Sequence, residues 1–411
     1  MKKFSYGKIL VLGLGFLIIT LTWSIYNAYV PPILERLLVH LPYTDTAVGF
    51  IMTFDNIAAI LLIPWFGAMS DRTWTRFGRR MPFLLVSIPV AAVFFALVPY
   101  AGAYSLAAVI PVIIVMNIAM AAFRAPTIAL MPDLTPSEYR SRANGIVNLM
   151  GGLGALIFYF GFTAIMGVSA AFVAGGAIMI IVLAVLLSVI REPQDQFEAA
   201  EQRPGGIVKS LFTILQEKEG STRFIFFAIF MWFIGWNGVE TFFTLYGMDK
   251  WGIEESQAAF YLGFFSLAFL LMAIPSGYIA TAIGRKKTIL GGLVGMCLML
   301  GSFYFATPIV LAIGFLISGG VFWALININS YPMVCDMSPV GKLGTYTGLY
   351  YFFSMLAAII APPIFGAVMD ILGTRMALFP MAAVAYLIAL LLMIRVSGGE
   401  ARAADDLSEA V

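Results

Sequence analysis

Long apolar runs recur along the whole chain, and they constrain the fold more than any other feature of the sequence. A run of 18 or more apolar residues can cross a hydrocarbon layer of about 30 Å as a helix. Hydrophobic residues make up 61% of the chain, whereas a soluble domain is about half apolar. The sequence therefore predicts an all-α membrane protein with twelve transmembrane helices. The predicted spans are 9–33, 46–69, 82–103, 105–131, 143–166, 169–190, 223–247, 256–281, 286–306, 308–335, 345–369 and 375–396.

The distribution of basic residues predicts which side of the membrane each loop faces. If both ends of the chain lie on the inner side, 20 of the 24 lysines and arginines fall in inner segments. Only Arg36, Lys250 and Arg375 then fall in outer loops. Cytoplasmic loops of membrane proteins carry the excess of basic residues. We therefore expect both termini in the cytoplasm, with the protein in the cell membrane (the inner or plasma membrane).

The longest polar segment, 191–222, divides the twelve runs into six and six. We predict an N-terminal six-helix bundle over 1–190 and a C-terminal six-helix bundle over 223–396. The segment between them is predicted to be a cytoplasmic linker, in which residues 207–215 suit a short helix on the membrane surface. The polar tail 397–411 is predicted to be disordered.

An internal repeat relates the two halves. The segment MPDLTPSEYRSRANG (131–145) aligns with VCDMSPVGKLGTYTG (334–348), so that Asp133 falls on Asp336 at an offset of 203 residues. Both segments follow the fourth span of their half. Halves that match in this way are typical of transporters whose bundles rock about a central site. The sequence thus predicts two pseudo-symmetric six-helix bundles.

The segment GAMSDRTWTRFGRR (67–80) concentrates charge between two apolar runs. Five of its residues are charged, against 11% of the chain, and its GRR (78–80) is matched by GRK (284–286). Positive charge alone would orient the protein, so the nearby carboxylates favour weak ion pairs that can break in each transport cycle. The alternative is a topology signal that contacts lipid headgroups. The predicted cytoplasmic gate consists of Asp71, Arg72, Arg79, Arg80, Asp133, Arg140, Arg142 and Asp336.

Three charged residues lie inside predicted spans and away from their ends, where a charge is costly and indicates a functional site. Asp55 lies about 13 Å, and Glu240 about 10 Å, from the outer surface at a rise of 1.5 Å per residue. A carboxyl group at such depth suits a proton carrier or a Na⁺ ligand. Arg124 needs a carboxylate, carbonyls or a substrate as its partner. We predict that Asp55, Glu240 and Arg124 take part in cation coupling; purely structural carboxylates and a snorkelling arginine are the alternatives.

Aromatic and amide side chains share the spans with these charges. An aromatic ring packs on the C–H face of a sugar while amide groups bind its hydroxyls, although many such amides only join helices. A set with few full charges favours a neutral polyol over an anion. The predicted substrate-binding residues are Tyr26, Asn27, Asn56, Asn117, Asn148, Trp232, Trp236, Asn237, Asn327 and Tyr350.

The pattern G-x-x-x-D-R-x-x-x-R-x-G-R-R after the second span resembles the inner loop of the major facilitator superfamily. GAMSDRTWTRFGRRMPF (67–83) and RAPTIALMPDLTPSEYRSRANG (124–145) are together similar to the sucrose–proton symporter branch of the glycoside–pentoside–hexuronide:cation symporter family. The resemblance extends over all twelve spans in layout and is specific only in these two segments. It implies the major facilitator fold, alternating access and cation-coupled uptake of a glycoside or disaccharide.

Two positions depart from the patterns of that family. Plant sucrose members carry a proton-binding acid seven residues before the position of Arg124, where this chain has Asn117. The sodium-linked melibiose branch has two aspartates four residues apart on its second helix, and only Asp55 is present here. The coupling ion, H⁺ or Na⁺, and its carrier among Asp55 and Glu240 therefore stay open.

We expect a secondary active transporter, a cation-coupled sugar symporter that acts as a monomer among membrane lipids. A proton-coupled exporter of drugs or other small molecules and a non-transporting membrane sensor are the alternatives. The sequence has one histidine, no metal-ligand pattern and no Walker A or GxGxxG motif. We expect no enzyme activity, no metal site, no cofactor besides the coupling ion and no nucleic-acid partner.

Overall fold

Twelve helices that are long and apolar enough to cross a membrane occur in the described part of the chain, which confirms the predicted number. The computed structural model describes residues 6–135, 139–192, 220–303, 305, 308–339 and 342–399. Spans 1 to 6 are Tyr6–Leu38, Thr44–Arg72, Met81–Tyr104, Leu106–Leu134, Arg142–Ile165 and Val168–Val189. Spans 7 to 12 are Gly220–Trp251, Glu255–Ile283, Arg285–Phe303, Ile309–Met337, Leu343–Leu372 and Arg375–Ile394. The predicted surface helix at 207–215, and the tail from residue 400 on, lie outside the described residues.

The chain divides into two compact units. The first comprises Met1–Gln202 and Ile253–Gly263, and the second comprises Arg203–Gly252 and Phe264–Val411. The first turns of span 8 thus belong to the first unit, although the sequence places that span in the second six-helix bundle.

Span 1 extends further than the sequence predicts. The prediction that the span ends near its two prolines is wrong, because one helix continues through Pro31 and Pro32 to Leu38. Proline is tolerated inside membrane helices because neighbouring groups can satisfy the carbonyls that it frees. Both prolines are buried, so packing against the rest of the first unit holds the helix together past this point.

Span 2 consists of two helices, Thr44–Met52 and Phe54–Arg72, that join at Thr53. The Thr53 hydroxyl and N–H both donate to the Phe50 carbonyl, at 2.7 and 3.2 Å, and thereby close the first helix. The joint places Asp55 in the first turn of the second helix. The partial positive charge of a helix N-terminus favours a carboxylate there.

Spans 1 and 5 pack closely through glycine. A Cβ on Gly154 would lie 2.3 Å from the carbonyl oxygen of Leu17, so a larger residue would force the two helices apart. Beyond this contact, span 5 widens into a π-helical turn over Ile157–Phe162. Such turns are rare and are found frequently at functional sites.

Candidate functional site

A cluster of polar side chains lies within the first unit, between spans 1, 2 and 4. The buried Tyr26 hydroxyl faces the buried Asn117 amide and lies within electrostatic range of Asp55. Asn56 Nδ2 donates a hydrogen bond to Asp55 Oδ1 at 2.8 Å. The structure therefore brings together four residues that the sequence selects separately. We call these four residues and Trp23, whose contacts follow below, the polar cluster.

Several buried groups of the polar cluster lack hydrogen-bond partners. Within the described residues, Trp23 Nε1 makes no hydrogen bond, and the Tyr26 hydroxyl and the Asn117 amide face each other but have no further partner. The Trp23 and Tyr26 rings meet edge to face at 5.4 Å, one helical turn apart on span 1. A buried polar group without a partner costs about 1–3 kcal/mol. These donors and acceptors are therefore available to a hydroxyl-bearing ligand or to water.

The other residues predicted in the first unit lie at less enclosed positions. Asn27 and Arg124 are half-buried, and Asn148 is exposed on span 5. Their roles in substrate binding and coupling stay predictions. Trp23 is not among the residues predicted from the sequence. Nothing in the sequence distinguishes it from other tryptophans of membrane helices.

Aromatic rings surround the residues predicted on span 7, in the second unit. Trp236 stacks on Trp323, with ring centroids 5.0 Å apart and planes 11° apart, and on Phe265 at 4.8 Å and 28°. The Asn237 amide donates to the Phe233 carbonyl of its own helix at 2.7 Å. Trp232 is fully buried. Trp236 thus stacks with two other rings, and sugar contact by Trp232, Trp236 and Asn237 stays a prediction.

Polar groups of spans 8, 10 and 11 are bonded to one another in the second unit. The hydroxyls of Tyr350 and Ser330 lie 3.0 Å apart, and Asn329 donates to the Ser276 hydroxyl at 2.8 Å. Asn327 and Glu240 are half-buried. Sugar contact by Tyr350 and Asn327, and coupling by Glu240, stay predictions.

Charged side chains meet where span 2 ends, span 3 begins and span 4 ends. Arg79 Nη2 lies 2.7 Å, and Arg80 Nε 3.1 Å, from the same Asp133 oxygen. Arg80 Nη2 is 2.5 Å from Asp71, and the Arg80 guanidinium also donates to the Ser70 hydroxyl. Both arginines are buried, and two carboxylates balance their two charges. We call Asp71, Arg79, Arg80 and Asp133 the charged cluster.

Three further arginines of the predicted gate lie outside the charged cluster. Arg72, Arg140 and Arg142 are exposed, and no carboxylate of the described residues forms an ion pair with them. Arg140 donates to the Pro132 carbonyl at 3.5 Å, and the Arg142 guanidinium lies 5.9 Å from the centre of the Tyr139 ring. The eight residues predicted to form one gate therefore occupy different environments.

Glu192, which follows span 6, contacts the charged cluster. No pattern in the sequence predicts this contact. Its carboxylate accepts hydrogen bonds from the backbone N–H groups of Arg79, Arg80 and Met81, with distances of 2.8–3.0 Å. Gly78, which precedes these residues, has a φ of +110°. Only glycine adopts such a φ readily.

The second unit repeats the left-handed glycine and the arginine–aspartate pair. Arg285 pairs with Asp336, as Arg79 pairs with Asp133, and Gly284 has a φ of +94°. The internal repeat of the sequence thus corresponds to a repeated ion pair after a left-handed glycine. Each of these pairs joins residues of one unit, so it can persist while that unit moves as a rigid body. The predicted latch between helix ends that breaks in each cycle stays a prediction.

One family matches the chain over nearly its full length. A model of the Major Facilitator Superfamily matches residues 12–253 and 248–409. An isoprimeverose transporter of Lactiplantibacillus pentosus is 24% identical over 264 residues, which are 56% of this chain and 50% of that protein. The match thus spans half the length of this curated relative.

Solved structures of low sequence identity share the fold. The nucleoside transporter NupG has a TM-score of 0.74 at 14% identity, covering 94% of this chain and 99% of that one. A D-xylose–proton symporter has a TM-score of 0.71 at 17% identity, covering 94% and 97%. These likenesses confirm the predicted fold of twelve helices.

Proposed function

The chain belongs to the major facilitator superfamily, and we propose that it couples the uptake of a neutral sugar to a cation, H⁺ or Na⁺, by alternating access. The polar cluster carries this proposal. It combines buried neutral hydrogen-bonding groups that lack partners with a carboxylate at a helix N-terminus. A sugar offers hydroxyls that both donate and accept, and a cation offers the charge that Asp55 can hold.

The composition of the polar cluster suggests how the two ligands are coupled. Asp55 and the Tyr26 hydroxyl interact electrostatically, so the charge on Asp55 affects how the hydroxyl can bond a ligand. A bound cation neutralises Asp55 and leaves the Tyr26 hydroxyl free to bond a sugar hydroxyl beside Asn117. Each ligand then strengthens the binding of the other, as a coupling free energy requires.

The relatives support a sugar as the substrate class. The curated relative is a transporter of isoprimeverose, and one structural neighbour is a D-xylose–proton symporter. The segments 67–83 and 124–145 further support the sucrose–proton symporter branch. The protein is a multi-pass membrane protein; cytoplasmic termini, the cell membrane as its location and a monomeric functional unit belong to the proposal.

Uptake into proteoliposomes tests the proposal. A panel of radiolabelled disaccharides is offered with a pH gradient or a Na⁺ gradient imposed separately. We expect one sugar to accumulate under one gradient only. Equal and merely equilibrating uptake under both gradients would indicate a uniporter. Proton-driven movement of lipophilic cations without sugar flux would instead favour an exporter, and binding without any flux would favour a sensor.

A further inference from the structure

The helix of span 3 begins without a capping side chain of its own. Its first residue is Met81, and Arg80, which precedes it, makes no side-chain capping bond. The first N–H groups of a helix have no partner within the helix and require one elsewhere. Pro82 has no N–H, and the next two N–H groups, of Phe83 and Leu84, donate to the Arg80 carbonyl. The Met81 N–H is the helix donor that remains.

Glu192, which lies more than 100 positions later in the chain, supplies the missing cap. Its Oε1 accepts from Met81 at 2.9 Å and from Arg80 at 2.8 Å, and its Oε2 accepts from Arg79 at 2.9 Å. A Cβ on Gly78 would lie 2.7 Å from Oε1. The glycine is therefore required twice, for its left-handed φ and for the approach of the carboxylate.

Two of the three residues that Glu192 holds by their backbone have side chains that reach Asp133. Arg79 and Arg80 are fixed on one side by a carboxylate from span 6 and on the other by a carboxylate from span 4. We infer that Glu192 is a positioning residue of the cytoplasmic gate, which sets the first turn of span 3 so that both arginines meet Asp133. This inference rests on the proposed transport function only for its kinetic test.

A corresponding contact in the second unit supports the inference. Lys286, at the start of span 9, donates to the Ile394 carbonyl at the end of span 12, at 3.0 Å. In both units the end of the last span therefore holds the start of the third. The chemical groups differ, because a carboxylate binds N–H groups in the first unit and a carbonyl binds an ammonium group in the second.

Hydrogen–deuterium exchange of the full chain tests the positioning role without any need for transport. In Glu192→Ala we expect amide exchange to rise about tenfold over residues 79–81 and also in the last turn of span 4 around Asp133. Glu192→Gln keeps one acceptor oxygen and should restore part of the protection. Glu254→Ala removes an exposed carboxylate elsewhere and should change neither segment. Faster exchange confined to residues 79–81 would reduce Glu192 to a local cap and overturn the inference.

Transport kinetics provide the second test. We expect Glu192→Ala to lower kcat about tenfold with the KM for sugar unchanged, because the gate does not touch the sugar. In an Asp133→Asn background the same change should have no further effect. Effects that multiply would show that Glu192 acts independently of Asp133. If the wild type transports no sugar, the proposed function fails, while the exchange experiment still decides the role of Glu192.

Discussion

Two buried asparagines, on spans 4 and 10, differ in how their amides are bonded. Asn329 donates to the Ser276 hydroxyl and to the Leu325 carbonyl, at 2.8 and 2.9 Å. Asn117 is equally buried, and among the described residues its amide faces only the Tyr26 hydroxyl. A bonded amide stabilises a fold, whereas an unbonded one is retained at a cost in stability. The difference supports the proposal that Asn117 contacts the ligand.

Replacing Asn117 by leucine should therefore stabilise the protein and abolish its function. An apolar side chain of similar size removes an unpaired buried amide, which costs about 1–3 kcal/mol. We expect the free energy of unfolding of Asn117→Leu to rise by that order while sugar uptake falls by about tenfold or more. Thermal unfolding in detergent and uptake into proteoliposomes measure the two effects.

Asn329→Leu is the matched control, since it removes an amide that is bonded and leaves Ser276 without that donor. It should lower the unfolding temperature. An Asn117→Leu variant that unfolds as readily as Asn329→Leu would mean that Asn117 is a structural residue and does not serve the ligand.

Sequence reasoning finds the residues whose chemistry is unusual for their place in the chain. Asp55 and the charged cluster stand out because charge is rare in this sequence. Glu192 does not stand out, because an acid after a membrane span is ordinary and its partners are backbone N–H groups more than 100 positions earlier. Which of ten polar residues lack a partner depends on packing, which a pattern of residue types does not contain.

Among the helices, span 5 combines a close contact with a looser turn. Gly154 meets the backbone of span 1, whereas Gly161, in the π-helical turn, has no atom within 4 Å of an added Cβ. The same substitution at the two glycines therefore separates helix packing from helix propensity.

We predict that Gly154→Ala destabilises the protein and Gly161→Ala does not. At Gly154 the added methyl group meets the Leu17 carbonyl, a backbone atom that cannot turn aside, and overpacking costs about 1–3 kcal/mol. At Gly161 the space is open, and alanine favours a helix over glycine by about 1 kcal/mol. Unfolding temperatures of the two variants in one detergent test this; equal temperatures would refute close packing at Gly154.

The number of spans follows from the sequence, but their internal irregularities do not. Apolar runs of sufficient length predict twelve helices, and the structure contains them. The joint at Thr53 and the π-helical turn at Ile157–Phe162 interrupt runs that read as continuous. Pro31 and Pro32 have the opposite effect, since they indicate an end where packing sustains the helix. Hydropathy predicts which segments lie in the membrane, but it does not predict where the backbone hydrogen bonds of a helix are interrupted.

In the molecule as a whole, the two units share their charged inner ends but not their polar interiors. Both carry a left-handed glycine followed by an arginine that pairs with an aspartate of the fourth helix of that unit. In the first unit, Tyr26, Asp55 and Asn117 lie together on three different spans. The second unit contains the stacked rings of Trp236 and Trp323. From this difference between the units we predict that cation coupling depends on the first unit.

Asp55→Asn should therefore separate sugar movement from the ion gradient. A potential of 100 mV supplies about 2.3 kcal/mol per elementary charge, which corresponds to about 50-fold accumulation of sugar. Without a group that carries the cation, accumulation should fall to the equilibrium ratio of one, while exchange of labelled for unlabelled sugar continues through the Tyr26 and Asn117 contacts. Glu240→Gln, in the second unit, should keep the gradient-driven accumulation. If Glu240→Gln abolishes accumulation and Asp55→Asn retains it, the coupling site lies on span 7, and the asymmetry between the units has another cause.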